Sequence, residues 1–235
     1  MGRHHEVRAA AMAKTGAIKS ALYARASREA YLAAKTGTPD PKTNLALRAV
    51  YEKYRGKSVP RDVFERAIKK AQGGDAEVFT AGRYEFFGPA GSYVIVDTLT
   101  DNPNRALVEV KTAVVRKGGH LGSVAFNFEE KGVLVFKGNN RDEVEEALIL
   151  GDVDVLSVEQ DEDLIVVYVA PSAFAKAKEL LASMGITEYE EAEISLIPNE
   201  YISMPDDESK GKFQELLDNL DELEDVQNVY HNVEL

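Results

Sequence analysis

Along residues 17–36, Ile18, Leu22, Ala26, Ala30 and Ala33 recur at helical spacing, and Gly37 offers a stop. The pattern predicts one amphipathic helix with Arg25, Arg28 and Lys35 on its other side. A second helix is expected to open at Asp40-Pro41, where the carboxylate can accept from free N–H groups and the proline presets φ. Leu45, Leu47, Val50, Tyr51 and Tyr54 would be its apolar side. A third covers roughly Arg61 to Gln72, with Val63, Phe64, Ala67 and Ile68 inward and Arg66, Lys69 and Lys70 outward, closed by Gly73-Gly74.

From Gly82 the texture changes. Arg83–Phe87 and Ser92–Leu99 are aromatic and β-branched around the turn Gly88-Pro89-Ala90-Gly91, a hairpin signal. Asn104–Lys117 returns to helical spacing, and Val124, Phe126 and Phe128 then alternate, so residues 80–130 read ββαβ. Residues 132–198 read strand, helix, strand, strand, helix, strand, the split βαβ order of a ferredoxin-like fold. The last segment offers a helix (Phe213, Leu216, Leu217, Leu220, Leu223) and a short strand from Val226 to Val233, too little to hold a core alone. Element counting therefore assigns an α+β class with three domains: a helical one over 1–75, a discontinuous α/β one over 76–131 plus 205–235, and a ferredoxin-like α/β one over 132–204.

Composition sharpens this picture. Of 235 residues, 44% are hydrophobic and 29% charged, a globular balance, and none is cysteine, which excludes disulfides, thiolate catalysis and Cys-based zinc sites. The charged N-terminus does not read as a secretory signal, and nowhere do about 18 apolar residues run together. A cytoplasmic protein with no membrane partner is the expectation, and a monomer. The net charge is −12, yet residues 1–74 hold 16 Lys and Arg against 6 Asp and Glu, whereas residues 131–204 hold 5 against 16. Since salt screens charge over about 8 Å, a basic domain held away from acidic ones still attracts polyphosphate.

That segregation points to nucleic acid as the partner, with Arg3, Arg8, Lys14, Lys19, Arg25, Arg28, Lys35, Arg48, Arg61, Arg66, Lys69 and Lys70 as phosphate contacts. The stretch Thr100-Asp101-Asn102-Pro103-Asn104-Arg105 joins a strand to a helix and suits capping; a functional reading makes Asn102, Asn104 and Arg105, with Lys117, secondary polar contacts. Lys117-Gly118-Gly119-His120-Leu121-Gly122 follows a helix instead of opening one and lacks a Gly-Lys-Ser/Thr ending, so it reads as a helix stop and turn. His4, His5, His120 and His231 are the only histidines and offer no metal spacing. Carboxylates in 141–163 and 206–225 read as solvated faces, and no Gly-x-Ser-x-Gly nucleophile elbow occurs. No catalytic residue, metal or cofactor is expected, and no enzyme.

Several blocks together resemble one family: Gly2-Arg3, Asp40-Pro41 with Asn44 and Leu47-Arg48, Pro60-Arg61-Asp62 running into Arg66-Ala67-Ile68-Lys69-Lys70, Gly88-Pro89, Leu99-Thr100-Asp101-Asn102, Asn104-Arg105, and Lys117-Gly118-Gly119 with Leu121-Gly122. The chain is similar to the YebC/PmpR family of probable transcriptional regulatory proteins, related to a mitochondrial translational activator of cytochrome oxidase. Its Arg3-His4-His5-Glu6-Val7-Arg8 start resembles the YeeN-type branch. It departs from the family at Ala90, where Gly-Pro-Gly-Gly is common, and at His4, where many members have Lys-Trp. The resemblance implies a three-domain, arch-like architecture and a regulator of transcription that binds DNA. The alternative it implies is a ribosome-associated translation factor that binds ribosomal RNA and relieves stalling at proline runs. A small-molecule sensor built on the ferredoxin-like domain is a third reading, since that fold hosts many functions.

Overall fold

The computed structural model describes residues 15–73 and 78–234. Its first helix, α1 (Thr15–Thr36), buries Ala21, Ala26, Ala30, Ala33 and Ala34, and this stripe of small side chains lets the next two helices approach closely. Helices α2 (Leu45–Tyr54) and α3 (Arg61–Ala71) contribute Leu47, Tyr54, Phe64, Ala67 and Ala71 to the same core. Removing Phe64 from water contributes about 2–3 kcal/mol, and its ring packs 4.6 Å from that of Tyr51.

Helix α2 begins at Leu45, not at Asp40-Pro41. Asp40 instead accepts from the Lys42 N–H in a local turn, and the N-cap is Asn44. This buried amide does two jobs: Oδ1 accepts from the Leu47 N–H, while Nδ2 donates to the carbonyl of Ala33 in the last turn of α1 and to that of Thr38 just beyond it. Gly37 is required beside it, because a Cβ there would lie 2.6 Å from the Asn44 amide nitrogen.

The chain divides into two compact units, 1–125 with 200–235, and 126–199. In the first, an antiparallel sheet runs in the order β3-β1-β2-β9, from β1 (Thr80–Phe87), β2 (Tyr93–Thr100), β3 (His120–Leu121) and β9 (Val226–His231). Helices α4 (Pro103–Arg116) and α7 (Asp207–Asp221) cover one face through Val110, Val114, Phe213, Leu216 and Leu220, which meet Phe86, Val94, Val96 and Val226. A parallel pair, β8 (Ile202–Ser203) and β10 (Val233–Glu234), lies in the same unit.

The second unit holds β4 (Phe128–Lys137), α5 (Arg141–Leu150), β5 (Val155–Asp161), β6 (Leu164–Val169), α6 (Phe174–Ser183) and β7 (Glu191–Pro198). Its antiparallel sheet has the order β5-β6-β4-β7, the ferredoxin-like arrangement. Leu134, Phe136, Ile165 and Val167 pack against Val144, Leu148, Ala177 and Leu181 of the two helices. The fold class is α+β, as the pattern of elements indicates. One strand differs from expectation: residues 125–127 form a 3-10 turn, and Phe128 opens β4 instead of closing the preceding sheet. The strand continues through Gly132, where a Cβ would meet Phe174 and Val169 at 2.8 Å, so the glycine lets β4 pass close against the helix layer.

Candidate nucleic-acid interface

Nine of the twelve cations assigned to phosphate contact fall among the described residues; Arg3, Arg8 and Lys14 lie outside them. Seven are exposed: Lys19, Lys35, Arg48, Arg61, Arg66, Lys69 and Lys70. On α3 the spacing sets two stripes. Arg61 pairs with Glu65 at 3.1 Å and Lys69 continues that row, while Arg66 pairs with Asp62 at 2.8 Å and Lys70 continues the other. Such exposed i,i+4 pairs contribute only about 0.3–0.5 kcal/mol, so they yield readily to a phosphate. Lys69 and Lys70 also sit in the last turn of α3, where the helix dipole favours cations. Arg48 donates from Nη2 to the Lys42 carbonyl at 2.7 Å, which joins Lys42 to this set. Lys42, Arg55 and Lys57 are exposed too and were missed by sequence reasoning, which weighed helix faces and not the loops that flank them.

Arg25 and Arg28 have a different fate. Their side chains are 12% and 14% exposed, and both reach the turn between α7 and β9. Arg25 donates to the Asp221 carbonyl at 2.8 Å and lies 3.3 Å from its carboxylate. Arg28 donates to the Glu224 carbonyl and lies 3.0 Å from Asp225 Oδ1. Asp225, 3% exposed, is the centre of this cluster. Its Oδ2 accepts from Thr100 Oγ1 at 2.9 Å and from Arg105 at 2.8 and 3.2 Å. Oδ1 has no hydrogen bond of good geometry, so its tie to Arg28 is chiefly Coulombic. Nothing in the composition distinguishes Asp225 from the other acidic residues of 206–225; only the fold does.

Within the segment Thr100 to Arg105, several side chains make structural contacts. Asn102 caps α4 by accepting from the Arg105 N–H at 3.1 Å. Hydrogen bonds to Asp225 and then Asp101 hold the Arg105 guanidinium well above its ordinary range, and the same Arg105 contact holds the Asp101 carboxyl below the usual carboxylate range. Asn104 is exposed, and Lys117 is paired with Glu215. A cleft of about 560 Å³ opens beside the cluster, lined among others by Arg28, Tyr31, Lys70, Phe79, Arg105 and Glu109. Among the described residues no group of His, Asp and Glu could hold a metal ion, and no helix is long and apolar enough to cross a membrane.

Fold and charge placement together define an α+β protein in which a cationic three-helix segment is fastened by buried arginine–carboxylate contacts to an α/β unit. Comparison with known proteins specifies it further. Residues 3–74 match the TACO1/YebC protein N-terminal domain, and residues 79–233 match the TACO1/YebC second and third domain. The chain belongs to the TACO1/YebC family. It is 51% identical over 234 residues, 99% of each chain, to the probable transcriptional regulatory protein Mfl546 of Mesoplasma florum. It is 48% identical over the full length of both chains to a probable transcriptional regulatory protein of Mycoplasma capricolum subsp. capricolum. Among solved structures, the conserved hypothetical protein Aq1575 of Aquifex aeolicus aligns with a TM-score of 0.75 and 33% identity, covering 94% of this chain and 93% of that one.

Proposed function

We propose that this chain is a nucleic-acid-binding regulator of gene expression that grips duplex DNA through phosphate contacts made by its first three helices. The observation that carries the reading is the exposure of Lys19, Lys35, Arg48, Arg61, Arg66, Lys69 and Lys70 on a chain whose net charge is −12. The naming of both relatives as probable transcriptional regulatory proteins supports it. Each lysine or arginine that meets a phosphate releases condensed counterions, so affinity falls steeply with salt. A ribosome-associated role on ribosomal RNA is the second reading, and one feature favours it. Neither α2 nor α3 contains Asn or Gln to read adenine edges, so recognition by shape and backbone suits these helices better than a base code.

The test is fluorescence anisotropy of the full chain on a random-sequence duplex, with a structured ribosomal RNA fragment as competitor, over a salt series. A Lys35→Glu, Arg48→Glu, Lys69→Glu variant is expected to weaken binding and to reduce the log–log salt slope by about 0.9 for each phosphate no longer neutralised. An affinity indifferent to salt, or unchanged in the variant, overturns the proposal. A hundredfold preference for the RNA transfers it to the second reading.

A further inference from the structure

The glycine-flanked motif Gly119-His120-Leu121-Gly122 has no part in the phosphate grip, yet it builds a specific surface. Strand β3 lies against β1 with His120 opposite Phe87, and Phe87 is in turn opposite Tyr93 of β2. Three rings therefore form one row across three adjacent strands. Phe86 is fully buried among the side chains of α4 and α7, so alternation along β1 puts Phe87 and its row on the other face of the sheet. The His120 and Phe87 rings are stacked, 5.2 Å between centroids and 22° between planes, and Tyr93 meets Phe87 edge-on at 5.7 Å. His120 is exposed, and Phe87 and Tyr93 are half-buried.

The flanking glycines are what permit this. A Cβ on Gly119 would lie 2.7 Å from the Phe87 carbonyl oxygen, and one on Gly122 would lie 2.4 Å from the Phe87 ring. Only bare backbone lets β3 draw close enough to lay the imidazole on the phenyl ring. Arg116 ends α4 four residues before His120, and both Arg116 and Lys111 are exposed, with no ion pair to either among the described residues, but α4 covers the opposite face of the sheet from the row. The carboxylate on the same strand, Glu85, is already engaged by the N–H groups of Val124 and Ala125.

We propose that the His120–Phe87–Tyr93 row is a stacking platform for one unpaired nucleobase of a single-stranded or looped nucleic acid, with the imidazole of His120 as the outer ring. A base inside a duplex has no free face to offer, whereas an extruded base can extend the imidazole–phenyl stack by one more ring. Stacking is tolerant of base identity, so the platform selects for strandedness and not for sequence. The proposal rests on the nucleic-acid reading above and adds a second, distinct contact to it.

The experiment has two arms. In the first, the full chain is titrated with adenosine 5′-monophosphate and its aromatic ring resonances are followed by NMR; those of His120 and Phe87 are expected to move upfield, and His120→Ala is expected to abolish the Phe87 shift. In the second, anisotropy compares a single-stranded oligonucleotide with the duplex of the same sequence. His120→Ala weakens single-strand binding roughly tenfold and leaves duplex binding unchanged, and His120→Trp restores it. Ring resonances indifferent to the nucleotide, or a His120→Ala variant that weakens both oligonucleotides equally or neither, overturn the platform. A chain that binds both oligonucleotides with His120 unmoved keeps the phosphate grip and loses the platform. A chain that binds neither, yet whose His120 and Phe87 rings respond to the nucleotide, does the reverse.

Discussion

Replacing Asp225 by Asn removes one charge and almost no volume, so its effect isolates electrostatics in the cluster that ties α1 to the rest of its unit. The carboxylate faces Arg28 at 3.0 Å and Arg105 at 2.8 Å, and it is 3% exposed. Stripping a buried partner from a charge costs about 3–5 kcal/mol. The low end applies here, because Arg105 is 41% exposed and keeps Asp101, and Arg28 keeps Glu224. The new amide keeps an oxygen for Thr100 and Arg105, but its NH₂ group confronts the Arg28 guanidinium, donor against donor. About 3 kcal/mol corresponds to a roughly hundredfold change in an opening equilibrium. Amide hydrogen exchange reads it locally: peptides covering β2 and β9, where the Leu99 N–H donates to the Asp225 carbonyl at 2.8 Å, are expected to exchange roughly a hundredfold faster. Peptides from β4 and β6 serve as the internal control. A change below about threefold in β2 and β9, or an equal change in β4, would refute the reasoning.

Three further outcomes follow from geometry. Ala90 sits at φ +55° on an exposed turn, where an L side chain is disfavoured by about 1–2 kcal/mol. Relief of that strain is partly offset by the greater freedom of an unfolded glycine, so Ala90→Gly should stabilise by about 0.5–1 kcal/mol in urea midpoints. His231 is held below the ordinary histidine value of 6.5, first by burial, which outweighs the raising effect of the Val233 backbone. The unfolded chain therefore binds the proton more readily, and stability falls as pH drops below about 6.5, by up to about 1.4 kcal/mol per pH unit. His231→Gln should remove that acid sensitivity between about pH 7 and 5.5. Gly119→Ala should destabilise by about 2 kcal/mol, since its methyl would meet backbone that cannot yield, whereas Gly118→Ala, at φ +88° in open space, should cost only about 1 kcal/mol; equal costs would contradict the account of β3.

Periodicity made most elements legible: α3, α5, β2 and the strand–helix alternation of residues 132–198 depend on local alternation that needs no tertiary knowledge. The misplaced features share a cause. Asp40-Pro41 has the composition of a helix start, but Asn44 is the residue whose amide can satisfy two helices at once, and that role depends on where α1 ends in space. Strand β3 is two residues long and exists because Gly119 and Gly122 admit it, a reason invisible to hydrophobic patterning. Arg25 and Arg28 lie on the polar side of α1 as its spacing indicates, yet their acceptors come from 196 or 197 positions later in the chain. No local signal announces a partner at that distance.

The withdrawal of those two arginines bears directly on how an acidic protein can offer a cationic surface. Coulomb attraction between α1 and the turn after α7 uses Asp221, Glu224 and Asp225 where the helical segment meets the sheet, so these three carboxylates are already paired with α1. On and around α2 and α3, the cations left without an ion pair among the described residues include Lys42, Arg48, Arg55, Lys57 and Lys69, all exposed. Screening over about 8 Å then lets these act apart from acidic residues beyond that reach. Breaking the cluster has two opposed effects on polyanion binding: Arg25 and Arg28 are freed, but so are three carboxylates on the neighbouring turn. The Asp225→Asn variant separates them in part, because it removes one carboxylate and leaves Arg28 only Glu224 while Arg25 keeps Asp221, and a gain in duplex affinity with no change in the Lys35→Glu penalty would show that the cluster holds Arg28 in reserve.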